Sequence, residues 1–299
     1  MKAALDQKLR QNQAGFRAKR SCVDHIATLR IIVKQSIEWQ SSLHLNFVDF
    51  KRAFDSVHRE AVWKLLNLYN LPHKFINIIQ ALYRNYNVRV IQNGQQSDKI
   101  AVDTGVRQGC ILSPTIFLVV VDWVMRKAAQ QRRGITWKVF NSLEDLDFAD
   151  DLYLISHKTE HLQAKTGDMV REGKKIGLSV NVNKTKTMSV NARPANIEIN
   201  NEEVENVNRF TYLGSVITTD GGAEADVRAR IAKASYTFNA LSKVWKTGSI
   251  SRHTKIRIFN SNVKSVLLYG AETWLSNKTV THKLQVFINK CLRRILGIF

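Results

Sequence analysis

The sequence predicts an α+β fold, in which strands and helices follow one another along a single chain. Hydrophobic alternation over residues 43–47 predicts a half-buried strand that leads to Asp49. Two apolar runs, residues 143–148 and 152–155, flank Asp150 and Asp151 and predict a β-hairpin whose tight turn holds both acids. Beyond Gly221-Gly222 the sequence becomes helical in periodicity and strongly basic, which predicts a separate helical domain.

The elements of the first half follow from hydrophobic periodicity and from capping signals. The predicted helices of this half cover residues 21–40, 57–70, 73–86 and 114–132. Asp55 or Ser56 is the expected N-cap of the second helix, and Pro72 follows its end. Between the third and fourth helices, Asn93-Gly94 predicts the turn of a hairpin whose second strand ends at Val102.

The second half begins with the Asp150 hairpin and ends with helices. A helix over residues 159–176 is expected to stop at Gly177, because glycine readily takes the left-handed conformation that ends a helix. Two or three short strands fill residues 187–219, with Asn200-Asn201 as a turn. Three helices then close the chain, over residues 223–245, 253–268 and 280–296.

Three carboxylates carry the strongest chemical signal. Asp150 and Asp151 are adjacent in the predicted turn, and adjacent acids repel each other unless a cation holds them. Asp49 follows another strand, and these three acids form the set that a two-metal phosphoryl-transfer site requires. Such a site uses acids to neutralise two Mg²⁺ ions and needs no protein nucleophile. Each acid taken alone would more simply be a solvated loop carboxylate, and only the three together favour the metal site.

The net charge predicts a polyanionic partner. The 299 residues include 45 Lys and Arg against 25 Asp and Glu, which gives a net charge of +20. The excess is concentrated in residues 227–299, where 14 basic residues face a single acid, Glu272. One interpretation is a helical module that follows the phosphates of a nucleic-acid duplex, and the other is a solvated basic surface.

Cysteine spacing and hydropathy exclude other classes of protein. Cys22, Cys110 and Cys291 lie far apart, which excludes a zinc knuckle within this chain and provides no disulfide framework. An intracellular, reducing location is therefore expected. The longest apolar stretch, residues 111–121, is too short to span a bilayer, so no membrane partner is expected.

Six sequence blocks occur in a characteristic order. They are QAGFR at residues 13–17, LNFVDFKRAFD at 45–55, TGVRQGCILSP at 104–114, FADD at 148–151, GLSVNVNKTK at 177–186 and FTYLG at 210–214. In this order and spacing they resemble the reverse transcriptases of non-LTR (LINE-type) retrotransposons. The segments LYGAETW at 268–274 and KCLRRILG at 290–297 most resemble the RTE-type branch. The resemblance runs from about residue 13 to the last residue.

This resemblance implies a right-hand polymerase fold. Partial fingers are expected over residues 1–45, a palm with an antiparallel sheet packed on helices over 46–220, and a basic helical thumb over 221–299. The implied activity is that of an RNA-directed DNA polymerase, which joins dNTPs to a primer 3′-hydroxyl. It needs an RNA template, a DNA primer or target and two Mg²⁺ ions, with Mn²⁺ as the expected substitute. Because the family's endonuclease domain and early fingers sequence are missing, we expect a fragment or truncated copy. We expect a nuclear location during action, because genomic DNA lies there.

The resemblance also implies roles for individual residues. Asp49, Asp150 and Asp151 would be the catalytic metal ligands, with the Phe50 carbonyl as an additional oxygen donor. On the nucleotide-binding side, Phe54 would be the gate that excludes a 2′-hydroxyl, and Gln108 and Gly109 would lie beside the incoming nucleotide. Lys184 would lie near the triphosphate, and Arg17 would bind template or triphosphate.

Several assignments have competitors in the sequence. Lys186 competes with Lys184, and Lys19 and Arg20 compete with Arg17. The expected primer grip comprises Phe210, Tyr212, Leu213 and Gly214, which could instead pack palm against thumb.

Other functions are also open to the same chain. One is a catalytically incompetent relic that still binds nucleic acid; another is RNA synthesis, which Phe54 disfavours. His157, Glu160 and His161 fit the H-x-x-E-H pattern of some zinc peptidases, but their strand-to-helix junction beside the acids disfavours that function. The sequence leaves the oligomeric state open.

Overall fold

The computed structural model describes residues 2–138 and 141–298, so residues 1 and 299, the outer limits of the predicted domains, lie outside it. Its α-helices are α1 Lys2–Asp6, α2 Cys22–Glu38, α3 Ala53–Ser56, α4 Arg59–Leu68, α5 His73–Tyr83, α6 Ser113–Ala128, α7 Thr159–Lys175, α8 Glu224–Ala240, α9 Ser242–Lys246, α10 Arg252–Ile258, α11 Ser265–Leu267 and α12 Lys278–Leu296. Its strands are β1 Leu43–Val48, β2 Asn87–Val88, β3 Ile91–Gln92, β4 Gln95–Gln96, β5 Ile100–Ala101, β6 Ile135–Lys138, β7 Asn141–Leu143, β8 Asp145–Phe148, β9 Asp151–Ser156, β10 Lys186–Val190, β11 Glu198–Ile199, β12 Glu202–Glu203, β13 Arg209–Tyr212 and β14 Ser215–Thr218. The predicted α+β class is confirmed.

The chain divides into two compact units. One comprises Met1–Cys22 and Gln40–Val207, and the other Val23–Trp39 and Asn208–Phe299. Helix α2 therefore belongs with the carboxyl-terminal helices. The boundaries of fingers, palm and thumb inferred from the sequence stay predictions.

The first unit is built on a four-stranded antiparallel sheet with the order β10-β1-β9-β8. All six residues of β1 are buried, so the prediction of a half-buried strand is wrong. The polar residues of β1 make hydrogen bonds inside the protein, since Asn46 Nδ2 donates to Thr166 of α7 at 2.9 Å and His44 lies 3.0 Å from Ser189 Oγ, whereas the buried Asn46 Oδ1 has no partner among the described residues. Alternation of polar and apolar residues therefore reflects buried hydrogen bonds here, not exposure to solvent.

Burial of His44 makes the stability of the chain depend on pH. Burial lowers the pKa of His44, and the nearby Glu160 carboxylate opposes the shift only in part, while His157 adds to it. A folded-state pKa below the unfolded value, which is about 6.5, means that stability is present above that pH and is lost as the pH falls. We expect the urea midpoint to decline as the pH falls from about 7 through the unfolded pKa of about 6.5, and to decline less in His44→Gln. His73→Gln, at an exposed position, should keep the wild-type pH dependence.

Local signals predicted most elements of this unit. The turn at Asn93-Gly94 is present, with φ values of 50° and 80° between β3 and β4. Gly177 has a φ of 88° just after α7, which confirms the predicted helix end. The N-cap prediction was wrong, because Asp55 lies inside the short helix α3 and Val57 is extended before α4 begins. Tertiary hydrogen bonds explain the break, since the Val57 carbonyl accepts from Gly105 N at 2.8 Å.

The second unit joins α2, the β13–β14 hairpin and the helices from α8 onward. At its centre Asp226 is fully buried and bonds to Arg30 and to Trp274 Nε1 at 2.9 and 2.8 Å. Two of the three predicted helices are interrupted. The helix predicted over residues 223–245 breaks at Leu241, and the one over residues 253–268 contains a π-helical segment, Phe259–Lys264. Among the residues described, no helix combines the length and the apolar character needed to cross a membrane.

Candidate active site

Three acids meet at the ends of two neighbouring strands. Strand β1 pairs with β9 up to Val48↔Leu152, so that the next residues, Asp49 and Asp151, are neighbours across the sheet. Asp150 lies in the two-residue turn that connects β8 to β9. Strand pairing therefore brings together the acids that 101 positions of sequence separate.

The three carboxylates repel one another in the absence of a cation. Partial withdrawal from solvent, together with the neighbouring Asp150 and Asp49 carboxylates, raises the pKa of Asp151 to about 6, although Asp151 reaches the surface. The pKa of Asp49 is also raised, first by burial; Lys184 opposes the shift and Asp150 adds to it. The protein itself therefore supplies too little positive charge to stabilise the ionised forms of these acids.

A divalent cation fits this set of donors. The Oδ2 atom of Asp49 is buried, and within the described residues no donor bonds to it. The described part of the chain contains no three His, Cys, Asp or Glu side chains that already surround one point. Mg²⁺ is commonly held by one or two carboxylates together with substrate phosphates and water, so a complete protein cage is unnecessary.

The main chain at Phe50 is oriented toward the same place. Phe50 forms an antiparallel bridge with Val180, flanked by hydrogen bonds from Lys51 N to Ser179 O and from Asn181 N to Asp49 O, both below 3 Å. In this pattern the carbonyl of the bridge residue points away from its partner strand. Because β9 pairs with β1 on that opposite side, the Phe50 carbonyl is directed toward the strand that carries Asp151.

The structure separates the two competing lysines. Lys184 Nζ lies 4.0 Å from Asp49 Oδ2, and the side chain is 70% exposed. Lys186 instead binds Glu205 at 2.6 Å and the Asn183 carbonyl at 2.7 Å. The geometry therefore favours Lys184 as the cation beside the acids, and its role stays a prediction.

Three of the predicted nucleotide-binding residues lie on α3 and on the loop before α6: Phe54 belongs to α3, and Gln108 and Gly109 belong to the loop. The half-buried ring of Phe54 stacks on Phe117 with centroids 4.2 Å apart. Gln108 Nε2 donates to both carboxylate oxygens of Asp55, at 3.2 and 3.4 Å. Gly109 has a φ of 79° and open space around its Cβ position, so its conformation, not a protein neighbour, requires glycine.

Arg17 has a structural environment within the described chain. Its guanidinium donates to Asp6 Oδ1 at 2.7 Å, to the Gln13 carbonyl at 2.9 Å and to the Asp6 carbonyl at 2.9 Å. It also binds the Arg10 carbonyl at 2.5 Å. Four of the five N–H donors of the group are used in these bonds, and contact with a template or triphosphate stays a prediction.

The predicted primer grip is a hairpin of the second unit. Leu213 and Gly214 form its turn, with φ values of 46° and 81°. Tyr212 is buried and its hydroxyl lies 3.3 Å from His25 Nδ1, whereas Phe210 is half-buried. The Leu213 carbonyl accepts from Tyr269 at 3.0 Å. The hairpin is thus packed within its own unit, and its contact with a primer stays a prediction.

The sequence analysis missed a buried ionic network beneath the site. Asp145 and Asp147 on β8 and Asp122 on α6 are fully buried, and Arg10 contacts all three. The prediction of an apolar run over residues 143–148 is wrong at Asp145 and Asp147. Their alternation along the strand was the available signal, because two acids on one face of a buried strand require a cation.

Comparison with known proteins gives consistent similarities. Residues 1–217 match the family described as reverse transcriptase (RNA-dependent DNA polymerase), and residues 237–269 match a domain of unknown function. The chain is 26% identical over 225 residues to the retrovirus-related Pol polyprotein from type-2 retrotransposable element R2DM of Drosophila melanogaster, covering 70% of this chain and 21% of that protein. It is 22% identical over 304 residues to the RNA-directed DNA polymerase from mobile element jockey of Drosophila funebris, covering 95% and 32%.

The fold is similar to that of a solved polymerase. The apo telomerase of Candida tropicalis aligns with a TM-score of 0.54 at 14% identity, over 99% of this chain and 57% of that one. This similarity confirms the right-hand polymerase fold. The chain spans about a fifth of the length of the first curated relatives that it matches.

Proposed function

The chain belongs to the reverse transcriptase family, whose profile matches residues 1–217, and on this premise we propose that it is the polymerase core of a non-LTR retrotransposon protein. It copies an RNA template into DNA by joining dNTPs to a primer 3′-hydroxyl. The relatives named for R2 and jockey elements support the non-LTR class. The RTE-type branch, the DNA target as primer and nuclear action stay part of this proposal.

One observation carries the proposal. Asp49 lies beside Asp151 across paired strands, with Asp150 in the adjoining turn. Burial and the neighbouring Asp150 carboxylate raise the pKa of Asp49 and of Asp151, so ionised acids at this place are costly in a protein that has no cation to bind among them. A phosphoryl-transfer site accounts for that cost.

The residues present can divide the work of nucleotide addition. Two Mg²⁺ ions, when bound, neutralise the phosphate charge and stabilise the attacking and leaving oxygens. Asp49, Asp150, Asp151 and the Phe50 carbonyl would hold them. Lys184, whose Nζ lies 4.0 Å from Asp49 Oδ2, would give a proton to the leaving pyrophosphate.

Primer extension tests the proposal. The full chain is incubated with poly(rA), oligo(dT), dTTP and Mg²⁺, and in parallel with Mn²⁺ or with UTP. We expect extension with dTTP, and none from the double variant Asp150→Ala/Asp151→Ala. Preference for UTP would indicate RNA synthesis and contradict the proposal.

A nucleic-acid-binding protein without polymerase activity is the second candidate. The observation that favours it is the basic carboxyl-terminal segment, with 14 basic residues and one acid over residues 227–299. Binding of the poly(rA)–oligo(dT) duplex without extension by the wild type would support this candidate. Binding should weaken steeply with salt in either case, since phosphate contacts release counterions.

Phe54 gives a prediction about sugar selection. Its ring is stacked on Phe117, a contact that would hold it in one orientation beside the sugar if the gate assignment is right. Phe54→Ala should lower the preference for dTTP over UTP by roughly tenfold or more, because the steric barrier to a 2′-hydroxyl is lost. The ratio of kcat/KM values measures it. Phe75→Ala, which removes an exposed ring from α5, should leave the ratio unchanged. An unchanged ratio in Phe54→Ala would exclude the gate.

A further inference from the structure

A strap formed by residues 12–17 lies along the free edge of the catalytic sheet. Strand β8 is at the edge of that sheet, and the strap adds a parallel bridge to it at Gln13↔Asp147. Asp147 N donates to the Asn12 carbonyl at 3.1 Å, and Ala14 N donates to the Asp147 carbonyl at 2.9 Å. The strap is therefore held in register with the strand that leads directly into the acidic turn.

The side chain of Gln13 reaches from the strap into that turn. It is fully buried, and its Oε1 accepts from Ala149 N at 3.0 Å and from Gly15 N at 2.8 Å. Its Nε2 donates to the Ala149 carbonyl at 3.4 Å. One carboxamide thus binds both main-chain polar groups of the residue that immediately precedes Asp150.

Ala149 has a conformation that needs outside support. Its φ is 60°, in the left-handed region that residues with a side chain seldom adopt. Hairpin turns normally place glycine or asparagine at such positions. The neighbouring Gly15 makes the close approach possible, because a Cβ there would lie 2.2 Å from Ala149 N.

From these contacts we infer that Gln13 is a positioning residue for the acidic turn. Its carboxamide stabilises the left-handed Ala149 and so fixes the direction in which Asp150 and Asp151 leave the strand ends. The inference rests on the proposed function, since it assigns the strap to the same site. Errors of about 1 Å in such groups can lower the rate about a hundredfold.

The first test compares matched removals of a buried amide. Gln13→Leu removes the carboxamide beside Ala149, and Asn46→Leu removes one of equal burial on β1 that binds Thr166. Both variants should lose thermal stability. Only Gln13→Leu should lower kcat for dTTP addition, by about ten- to a hundredfold, with little change in the KM for primer–template. Equal losses of kcat in the two variants, or none in Gln13→Leu, would overturn the inference.

The second test asks whether the effect passes through Ala149. Glycine accepts the left-handed conformation without strain, so Ala149→Gly should reduce the turn's dependence on Gln13. The kcat loss caused by Gln13→Leu should shrink severalfold in the Ala149→Gly background. An undiminished loss would mean that Gln13 acts by another route, and the inference would fail.

A binding measurement separates this inference from the proposed function. Calorimetric titration of Mn²⁺ into the full chain needs no turnover, and Gln13→Leu should bind the ion at least several times more weakly than Asn46→Leu. If the wild type binds Mn²⁺ but never extends a primer, the proposed function fails while this comparison still decides the inference. Equal Mn²⁺ affinities in the two variants would count against Gln13.

Discussion

Asp49→Asn is expected to lower primer extension by about a thousandfold or more while the chain stays folded. The variant keeps the shape of the side chain and removes the charge of an oxygen to which no described residue donates. Loss of that charge leaves only two carboxylates, those of the adjacent Asp150 and Asp151, for the metal ions. Steady-state incorporation of dTTP on poly(rA)–oligo(dT) measures the effect.

A stability measurement and a control variant distinguish loss of the metal site from unfolding of the chain. The raised pKa of Asp49, caused first by burial, means that its ionised form costs stability in the folded chain without metal. The melting temperature of Asp49→Asn without divalent ions should therefore equal or exceed that of the wild type. Asp98→Asn, which neutralises an exposed acid, should keep wild-type extension. More than a tenth of the activity remaining in Asp49→Asn would contradict the site assignment.

Arg10→Met is expected to produce the largest loss of stability. The guanidinium binds Asp145 at 2.7 Å, contacts Asp147 closely and lies 3.6 Å from Asp122, and all three acids are fully buried. Burial alone would lower the pKa of Arg10, yet Asp145 and Asp147 reverse the shift and raise it. Removing the cation leaves buried carboxylates without a partner, which costs about 3–5 kcal/mol of unfolding free energy. Urea denaturation measures the loss.

The pH dependence of that loss identifies its cause. Burial and the nearby Asp145 already raise the pKa of Asp147, so without Arg10 the folded chain should take up protons more readily. The stability deficit of Arg10→Met should therefore shrink as the pH is lowered, and adding Asp147→Asn should recover part of it. Arg89→Met, at an exposed position, should change stability by less than about 0.5 kcal/mol. A deficit below about 1 kcal/mol in Arg10→Met would contradict this account.

Much of the site could be predicted from the sequence, because its signals are local. Asp150 stands between two strand-forming runs, and Asp49 directly follows an alternating segment; both positions are as expected. The end of α7 at Gly177 follows from the conformational freedom of one residue. The competition between Lys184 and Lys186 could not be resolved in this way. The residues are two positions apart, and only the fold provides Glu205 for one and Asp49 for the other.

The sequence by itself determined most of the longer strands and helices in their order, the three acids and the excess of positive charge. Only the tertiary structure decided that β1 pairs with β9, that Arg10 neutralises a buried cluster and that Gln13 supports the turn before Asp150. The physical reason is that periodicity and capping act over a few residues, whereas strand register depends on side chains far apart in the chain. The sequence around a polar residue such as Gln13 or Asp147 is the same whether the residue forms its hydrogen bonds with water or with a distant part of the chain.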